Sequence, residues 1–352
     1  MVRLDPVNTA MHPSLTAHPA SDPVRIYQYR DGLYAVDLLT AAIVEFDFFT
    51  RFSADGMTPE EVCAACGFAA RPADVLLTLC AANGFIVEAG GRWHLTITAR
   101  EHLCAGSHWN LAPYFSSLHD RPIARDFVEV LRTGKPAGWS GDKSAGDWHK
   151  AMEQEDFARK FTAAMDCRGH YLAPAMAAAL HLSGVSRLLD IGGGSGIYAC
   201  AICAAHPHLS AVVFDQAPVD RIARTLIAER GLAGRVEVAA GNMFDGLPDN
   251  CDAHLFSNVL HDWDVPEVEK LLAVSHAALP AGGHVIVHDA FINAAKDGPL
   301  HAAEYSALLM HSTQGKCYST AEYAALLDAA GFEPPRYHPT VAARGFMTAR
   351  RP

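Results

Sequence analysis

The run Leu188-Leu189-Asp190-Ile191 leads directly into Gly192-Gly193-Gly194-Ser195-Gly196. Few arrangements of a chain accommodate it. The apolar residues 187–191 read as a short strand and residues 197–206 as a helix. Glycines between a strand and a helix sit where backbone N–H groups and the helix start face a ligand. Side chains are missing there because the ligand must lie against the backbone. Asp215 ends the next apolar strand, 211–215, 19 residues after Gly196. At that distance a carboxylate can accept hydrogen bonds from both hydroxyls of an adenosine ribose. The two features point to an adenosine cofactor without saying which. Gly194-Ser195-Gly196-Ile197-Tyr198-Ala199 also fits the G-x-G-x-x-A form of nicotinamide enzymes. A tight turn without a ligand is the plainer alternative, and the matching acid argues against it.

Further strands are expected at 236–239, 253–256, 284–288 and 345–349. Helical patterns separate the first five strands. Strand and helix in alternation imply an α/β fold, a mostly parallel sheet covered on both faces. No internal repeat or low-complexity tract is present.

The first half of the chain has a different texture. Residues 1–22 are rich in proline and small polar residues and read as a loose arm that packs on a partner subunit. The apolar pattern from Asp37 to Ser53 suits a buried helix. Thr58-Pro59-Glu60-Glu61 combines a cap, a first-turn proline and first-turn acids, a strong helix start. A second helix is expected at 72–83, ended by Gly84, and then a hairpin across Gly90-Gly91. Helix, helix, hairpin is a winged-helix pattern. Pro72–Cys80 offers no Arg or Lys to reach bases or phosphates, so a dimerisation module is the better reading than a DNA reader. Helical sequence follows from about 100 to 182, broken at 134–146, and 171–182 is apolar enough to be buried.

Composition limits the function. The 352 residues suit about two domains at roughly 150 residues each. A formal charge of -11 argues against gripping nucleic acid phosphates or an anionic membrane. Nine scattered cysteines fit a reduced, cytoplasmic setting rather than a disulfide scaffold. The start Met1–Pro6 has no signal-peptide core, and no uncharged apolar run reaches 18 residues, so no membrane span is expected. Cys63/Cys66 and Cys200/Cys203 have C-x-x-C spacing inside Ala-rich helices and read as buried thiols. His206 and His208 read as exposed turn residues, and His284 and His288 flank the fifth strand. No catalytic metal is predicted.

Two downstream segments separate the cofactor alternatives. They are Ala240-Gly241-Asn242-Met243-Phe244 after the third strand and Leu260-His261-Asp262-Trp263-Asp264 after the fourth. With Leu189–Gly196 and Phe214-Asp215-Gln216-Ala217-Pro218-Val219, they make the chain resemble the small-molecule O-methyltransferases that use S-adenosylmethionine. The likeness is to the caffeate and acetylserotonin type with bacterial relatives. Gly315–Tyr323 and Ala330-Gly331-Phe332 look like that family's C-terminal signature, and the winged-helix pattern resembles its dimerisation domain. The resemblance implies a Rossmann-like class I methyltransferase domain with a mostly parallel seven-stranded sheet. It also implies three parts: 1–105 for dimerisation, 106–182 as a helical linker contributing to the substrate pocket, and 183–352 for cofactor binding and catalysis.

The resemblance assigns roles. Gly192, Gly193 and Gly194 approach the amino acid part of the cofactor, Asp215 holds the ribose and Gln216 covers the adenine. Asn242 and Met243 stand where the family usually has Asp-Met beside the adenine. Ser257 falls near a position that is Lys in plant members. His261 is the general base. A phenol, with a pKa of about 10, is a weak nucleophile until its proton begins to leave, and a neutral imidazole of pKa about 6.5 suits that transfer. Of the two acids that support the His in plant members, one aligns near Asp289 and the other near Cys317, so the second is lost. Orientation of His261 then rests on Asp289 alone or on Glu304. Asp262 either acts in the chemistry or caps the next helix. Phe161, Met165, Glu304, Tyr305, Leu309, Met310 and His311 are substrate-pocket candidates, suited to a flat apolar ring, though each serves equally well as plain core.

The expected activity is methyl transfer from S-adenosylmethionine to a hydroxyl of a small aromatic metabolite by a homodimer, yielding S-adenosylhomocysteine. Carbon or nitrogen methylation on the same fold remains open, as does a member that no longer methylates. The rivals are a nicotinamide-dependent dehydrogenase and a cofactor-sensing DNA-binding regulator. Cofactor preference discriminates the first, and duplex binding at physiological salt the second.

Overall fold

The computed structural model describes residues 15–137 and 148–352. Residues 1–14 of the expected arm, and most of the expected break at 134–146, lie outside them.

Local chemistry accounts for the first part. Thr58 Oγ1 accepts from the Glu61 N–H at 3.3 Å while Glu61 Oε2 accepts from the Thr58 N–H at 3.0 Å, so the helix Pro59–Cys66 starts with a reciprocal cap. The helix Ala70–Ala82 follows, then the hairpin β1 (Ile86–Ala89) and β2 (Arg92–Leu95). Gly90 and Gly91 both take positive φ, as a two-residue hairpin turn of this hand requires. Helix, helix and hairpin thus occur in the expected order. Val75 to Cys80 of the second helix are buried, which leaves that face unavailable to a DNA groove.

The 37–53 expectation is corrected in part. The helix there runs only Ala35–Val44, Asp47 has φ 46°, and a 3-10 turn at Phe49–Arg51 follows. Phe46, Phe48 and Phe49 are nonetheless buried. The apolar pattern reported burial, and burial persists through a turn in which helical hydrogen bonding does not. Of the two C-x-x-C pairs, Cys200 and Cys203 are buried whereas Cys63 and Cys66 are half-buried.

The remaining strands are β3 (Arg187–Ile191), β4 (Ser210–Asp215), β5 (Val236–Ala240), β6 (Ala253–Ser257), β7 (His284–Ala290), β8 (Arg336–Pro339) and β9 (Arg344–Arg350). They form one seven-stranded sheet in the order β5-β4-β3-β6-β7-β9-β8. The first five in that order are parallel, and β9 runs antiparallel to both β7 and β8. The chain steps outward from β3 to β5 and returns beside β3 with β6. The order reverses there, which opens a crevice at the carboxyl ends of β3 and β6. Strand β8 was not among those located from the pattern. It is a four-residue edge strand, mostly exposed and ending in Pro339, so no buried face imprints an alternation on it.

Two helices close over the crevice. Gly169 lets Glu155–Ala179 lie against the helix Ile197–Ala205, since a Cβ there would sit 2.4 Å from Ile197 Cγ2. Phe161, Met165 and Arg168, spaced four and three apart, share one face of the first helix. The second is Leu300–Ser312, whose Ala302, Tyr305, Leu308 and Leu309 join the same core cluster as Leu38, Phe49 and Leu76. Arg71 ties that junction, donating to the carbonyls of Met310, Thr313, Gly315 and Gly134 at 2.6–3.3 Å. Among the described residues no single helix is long and apolar enough to cross a membrane.

Candidate active site

A cavity of about 290 Å³ occupies the crevice. Its lining includes Gly192, Gly193, Gly194, Asp215, Gln216, Asn242, Met243, Ser257, His261, Phe161, Met165, Tyr305 and Leu309 from the sequence reading. The lining does not include Glu304, Met310 or His311. Met310 and His311 are fully buried, and His311 Nε2 lies 3.3 Å from Asp126. Glu304 sits against Gly32.

At the glycine end, Gly192, Gly194 and Gly196 adopt φ of 64°, 57° and 72°, a region costly for other residues. A Cβ at Gly193 would fall 2.8 Å from the Asp190 carboxyl carbon, whereas one at Gly194 would meet nothing within 4 Å. Asp215 braces the turn: Oδ2 accepts from the Gly194 N–H at 2.9 Å and Oδ1 from the Gln216 N–H at 2.8 Å. Burial pushes the Asp215 carboxyl up to about 6. Asp190, which the sequence reading treated only as part of the strand, also lines the cavity. Burial pushes it up to about 7, and its Oδ1 is buried without a partner among the described residues. Asn258 is in the same position: it takes φ 55° and its Oδ1 is unpartnered. Two orphaned acceptors, an open glycine cradle and a carboxylate with lone pairs to spare suit a ligand rich in hydroxyl and amino donors.

At the other end His261 occupies the 3-10 turn Leu260–Asp262 after β6. Its Nδ1 lies 2.5 Å from Asp289 Oδ1. Asp289 Oδ1 also accepts from the Ala290 N–H at 2.7 Å, and Oδ2 accepts from the Tyr323 hydroxyl at 3.0 Å. Burial acts to raise the Asp289 carboxyl, but His261 and these hydrogen bonds outweigh it and hold the group below its ordinary range. In the neutral imidazole, an anionic Asp289 on Nδ1 makes that nitrogen the donor and places the lone pair on Nε2. No hydrogen bond links Glu304 to His261 among the described residues. Asp262 does not cap the following helix, because Asp264 does so. Instead Asp262 lines the cavity, with Oδ1 3.7 Å from His261 Nε2, and burial pushes its carboxyl up to about 6.

Gly315 holds this turn from behind. A Cβ there would lie 2.0 Å from the His261 carbonyl oxygen and 2.8 Å from the Trp263 nitrogen. His288 lies behind Ser257, hydrogen-bonded through Nδ1 at 2.8 Å, and is outside the lining. Arg168 was also missed. It lines the cavity, and its Nη1 donates to the Tyr305 hydroxyl at 3.2 Å. A lone Arg in a helical pattern carries no sequence signal of that kind.

A model of the O-methyltransferase domain matches residues 125–333, more than half of the chain. The chain belongs to the O-methyltransferase family. It is an enzyme of that family. A 3-hydroxy-5-methyl-1-naphthoate 3-O-methyltransferase of Streptomyces sahachiroi is 34% identical over 88% of this chain and 89% of its own length. An L-tyrosine C(3)-methyltransferase of Streptomyces lavendulae is 30% identical, over 86% and 85%. Among solved structures, an O-methyltransferase family 2 protein from Planctomyces limnophilus, in complex with apigenin, superposes with a TM-score of 0.86 at 29% identity. That match covers 96% of this chain and 99% of the other.

Proposed function

We propose that this O-methyltransferase family member transfers the methyl group of S-adenosylmethionine to a phenolic oxygen of a small aromatic metabolite, with His261 as the general base. One observation carries the reading: Nδ1 of His261 is committed to Asp289, so Nε2 is the basic nitrogen at the cavity. Bound S-adenosylmethionine supplies a methyl carbon already activated on a sulfonium. Asp215 receives the ribose hydroxyls, Gln216 covers the adenine with Asn242 and Met243 beside it, and the turn Gly192–Gly194 faces the amino acid portion. Ser257, which lines the same cavity, contacts the cofactor. Phe161, Met165 and Tyr305 hold the acceptor ring and exclude water. His261 Nε2 would take the phenolic proton as the oxygen bonds to the methyl carbon and the carbon–sulfur bond breaks, leaving S-adenosylhomocysteine. Alignment of the reactants supplies much of the remaining rate.

The reading is tested by incubating the enzyme with methyl-labelled S-adenosylmethionine and a panel of hydroxyarenes, with product assignment by NMR. Label on phenolic oxygen is the expected result. Absence of transfer to every hydroxyarene, despite tight cofactor binding, would refute it. A second reading has its own support in the tyrosine C(3)-methyltransferase relative. Removing a phenol's proton also enriches its ortho carbon, so the same base serves C-methylation, and the same spectra separate the two. Binding of nicotinamide dinucleotides in preference would revive the dehydrogenase alternative.

Ile26, Tyr29, Leu33 and Val36 are exposed along one segment, Tyr29 by 80%. So much apolar surface in one place favours a homodimer that covers it. Light scattering on the wild type and on Tyr29→Glu decides: a monomeric wild type would sink the idea.

A further inference from the structure

Arg168 is half-buried at the cavity and differs from Arg344, Arg230 and Arg71. Arg344 pairs with Asp31 at 3.0 Å, Arg230 pairs with Asp166, and Arg71 donates to four carbonyls. Among the described residues, the Arg168 side chain has one hydrogen bond, to the Tyr305 hydroxyl at 3.2 Å, and forms no ion pair. Its Nε is buried and unpartnered. A guanidinium with a buried, unpartnered N–H and no carboxylate in direct contact favours a ligand that supplies an acceptor and counter-charge. This one lines the cavity that contains His261. Tyr305 links them, hydrogen-bonded to Arg168 and packed edge-on to His261 with ring centroids 5.8 Å apart.

A planar guanidinium with free donors matches a carboxylate, which can accept two parallel hydrogen bonds. We propose that Arg168 receives a carboxylate on the methyl acceptor, so that the substrates are hydroxyarene carboxylates, anchored at Arg168 and presented by their hydroxyl to His261. The proposal deepens the phenol-methylation reading and rests on it. Asp262 lines the same cavity but forms no ion pair with Arg168 among the described residues, so it leaves the guanidinium without a directly bonded carboxylate.

The test uses the full chain loaded with S-adenosylhomocysteine, and hydroxybenzoates and hydroxynaphthoates each paired with its methyl ester. Calorimetry should show the acids binding at least about tenfold tighter than the esters. Arg168→Gln should bring that ratio to within about twofold of unity, and Arg168→Lys should restore part of it. Unchanged affinity for S-adenosylhomocysteine checks that both variants are folded. Wild type that binds esters as well as acids overturns the proposal without recourse to any variant. A ratio that survives Arg168→Gln does so too. Turnover is read separately: Arg168-dependent acid binding without methylation of any hydroxyl would fail the phenol reading while leaving the anion site standing.

Discussion

His261 and Asp289 lie 28 residues apart on adjacent strand ends, and their side chains meet at 2.5 Å, Nδ1 to Oδ1. Tyr323 holds the far oxygen of the same carboxylate. If this chain sets the tautomer of the base, His261→Ala and Asp289→Asn should each lower kcat by about 10²–10⁴. Cofactor affinity should stay within about twofold in both. Tyr323→Phe should cost only severalfold. Steady-state kinetics with calorimetry checks this, and near wild-type turnover in His261→Ala would leave reactant alignment as the source of catalysis.

Gly315 offers a way to move His261 without touching its side chain. Any Cβ there collides with the His261 backbone. Gly315→Ala is expected to lower kcat by at least about tenfold through a displaced imidazole. The glycine turn and Asp215 are remote from the change, so cofactor Kd should hold. Equal losses in kcat and in cofactor binding would point to general unfolding instead, which a melting curve would reveal.

Asp215 predicts a pH dependence of cofactor binding. Burial raises its carboxyl to about 6, so the charged form, the stronger acceptor for ribose hydroxyls, is lost as pH falls through that value. Affinity measured from pH 8 to pH 5 should therefore drop near pH 6, and Asp215→Asn should be weaker and nearly flat there. For the free protein the sign is opposite. A raised carboxyl contributes most to stability below its ordinary range and loses that contribution as pH rises through about 6. A wild-type affinity that is level across pH 6 would remove Asp215 from the ribose site.

A charge cluster joins the two halves. Lys296 and Lys316 both reach Asp74 of the N-terminal part and Glu322 of the C-terminal part, at 2.5–2.8 Å. Burial acts to raise Glu322, but the two lysines outweigh it and bring it down to about 2. Its stabilisation is therefore present at neutral pH and lost as pH falls from its ordinary range, about 4.5, to about 2. Glu322→Gln should cost about 3 kcal/mol in urea unfolding at pH 7. The difference from wild type should shrink towards pH 2, and a constant difference would show that charge is not its source.

Much of the sheet-bearing half was legible because its signals are local. Buried parallel strands need unbroken apolar runs, so β3, β4, β5, β6 and β7 could be placed to within a residue or two. β8 has no buried face and left no such trace. The glycine turn was readable because positive φ and close approaches tolerate few residue types, and Asp215 because it ends the neighbouring strand and braces that turn. The segment after Val44 misled because aromatic side chains stay buried on either side of a turn. Asp190 and Asn258 passed unnoticed, since their orphaned oxygens appear only once neighbouring strands enclose them.

By itself the sequence determined the strand–glycine–helix unit, the carboxylate one strand away and an imidazole after the fourth strand, all of them features of short-range spacing. Only the tertiary structure decided that His261 leans on Asp289 rather than Glu304, that Met310 faces the core, and that Arg168 meets Tyr305 across 137 residues. Which side chains share a cavity depends on how helices cross over the sheet, and that depends on packing summed along the whole chain. No stretch of sequence records it alone.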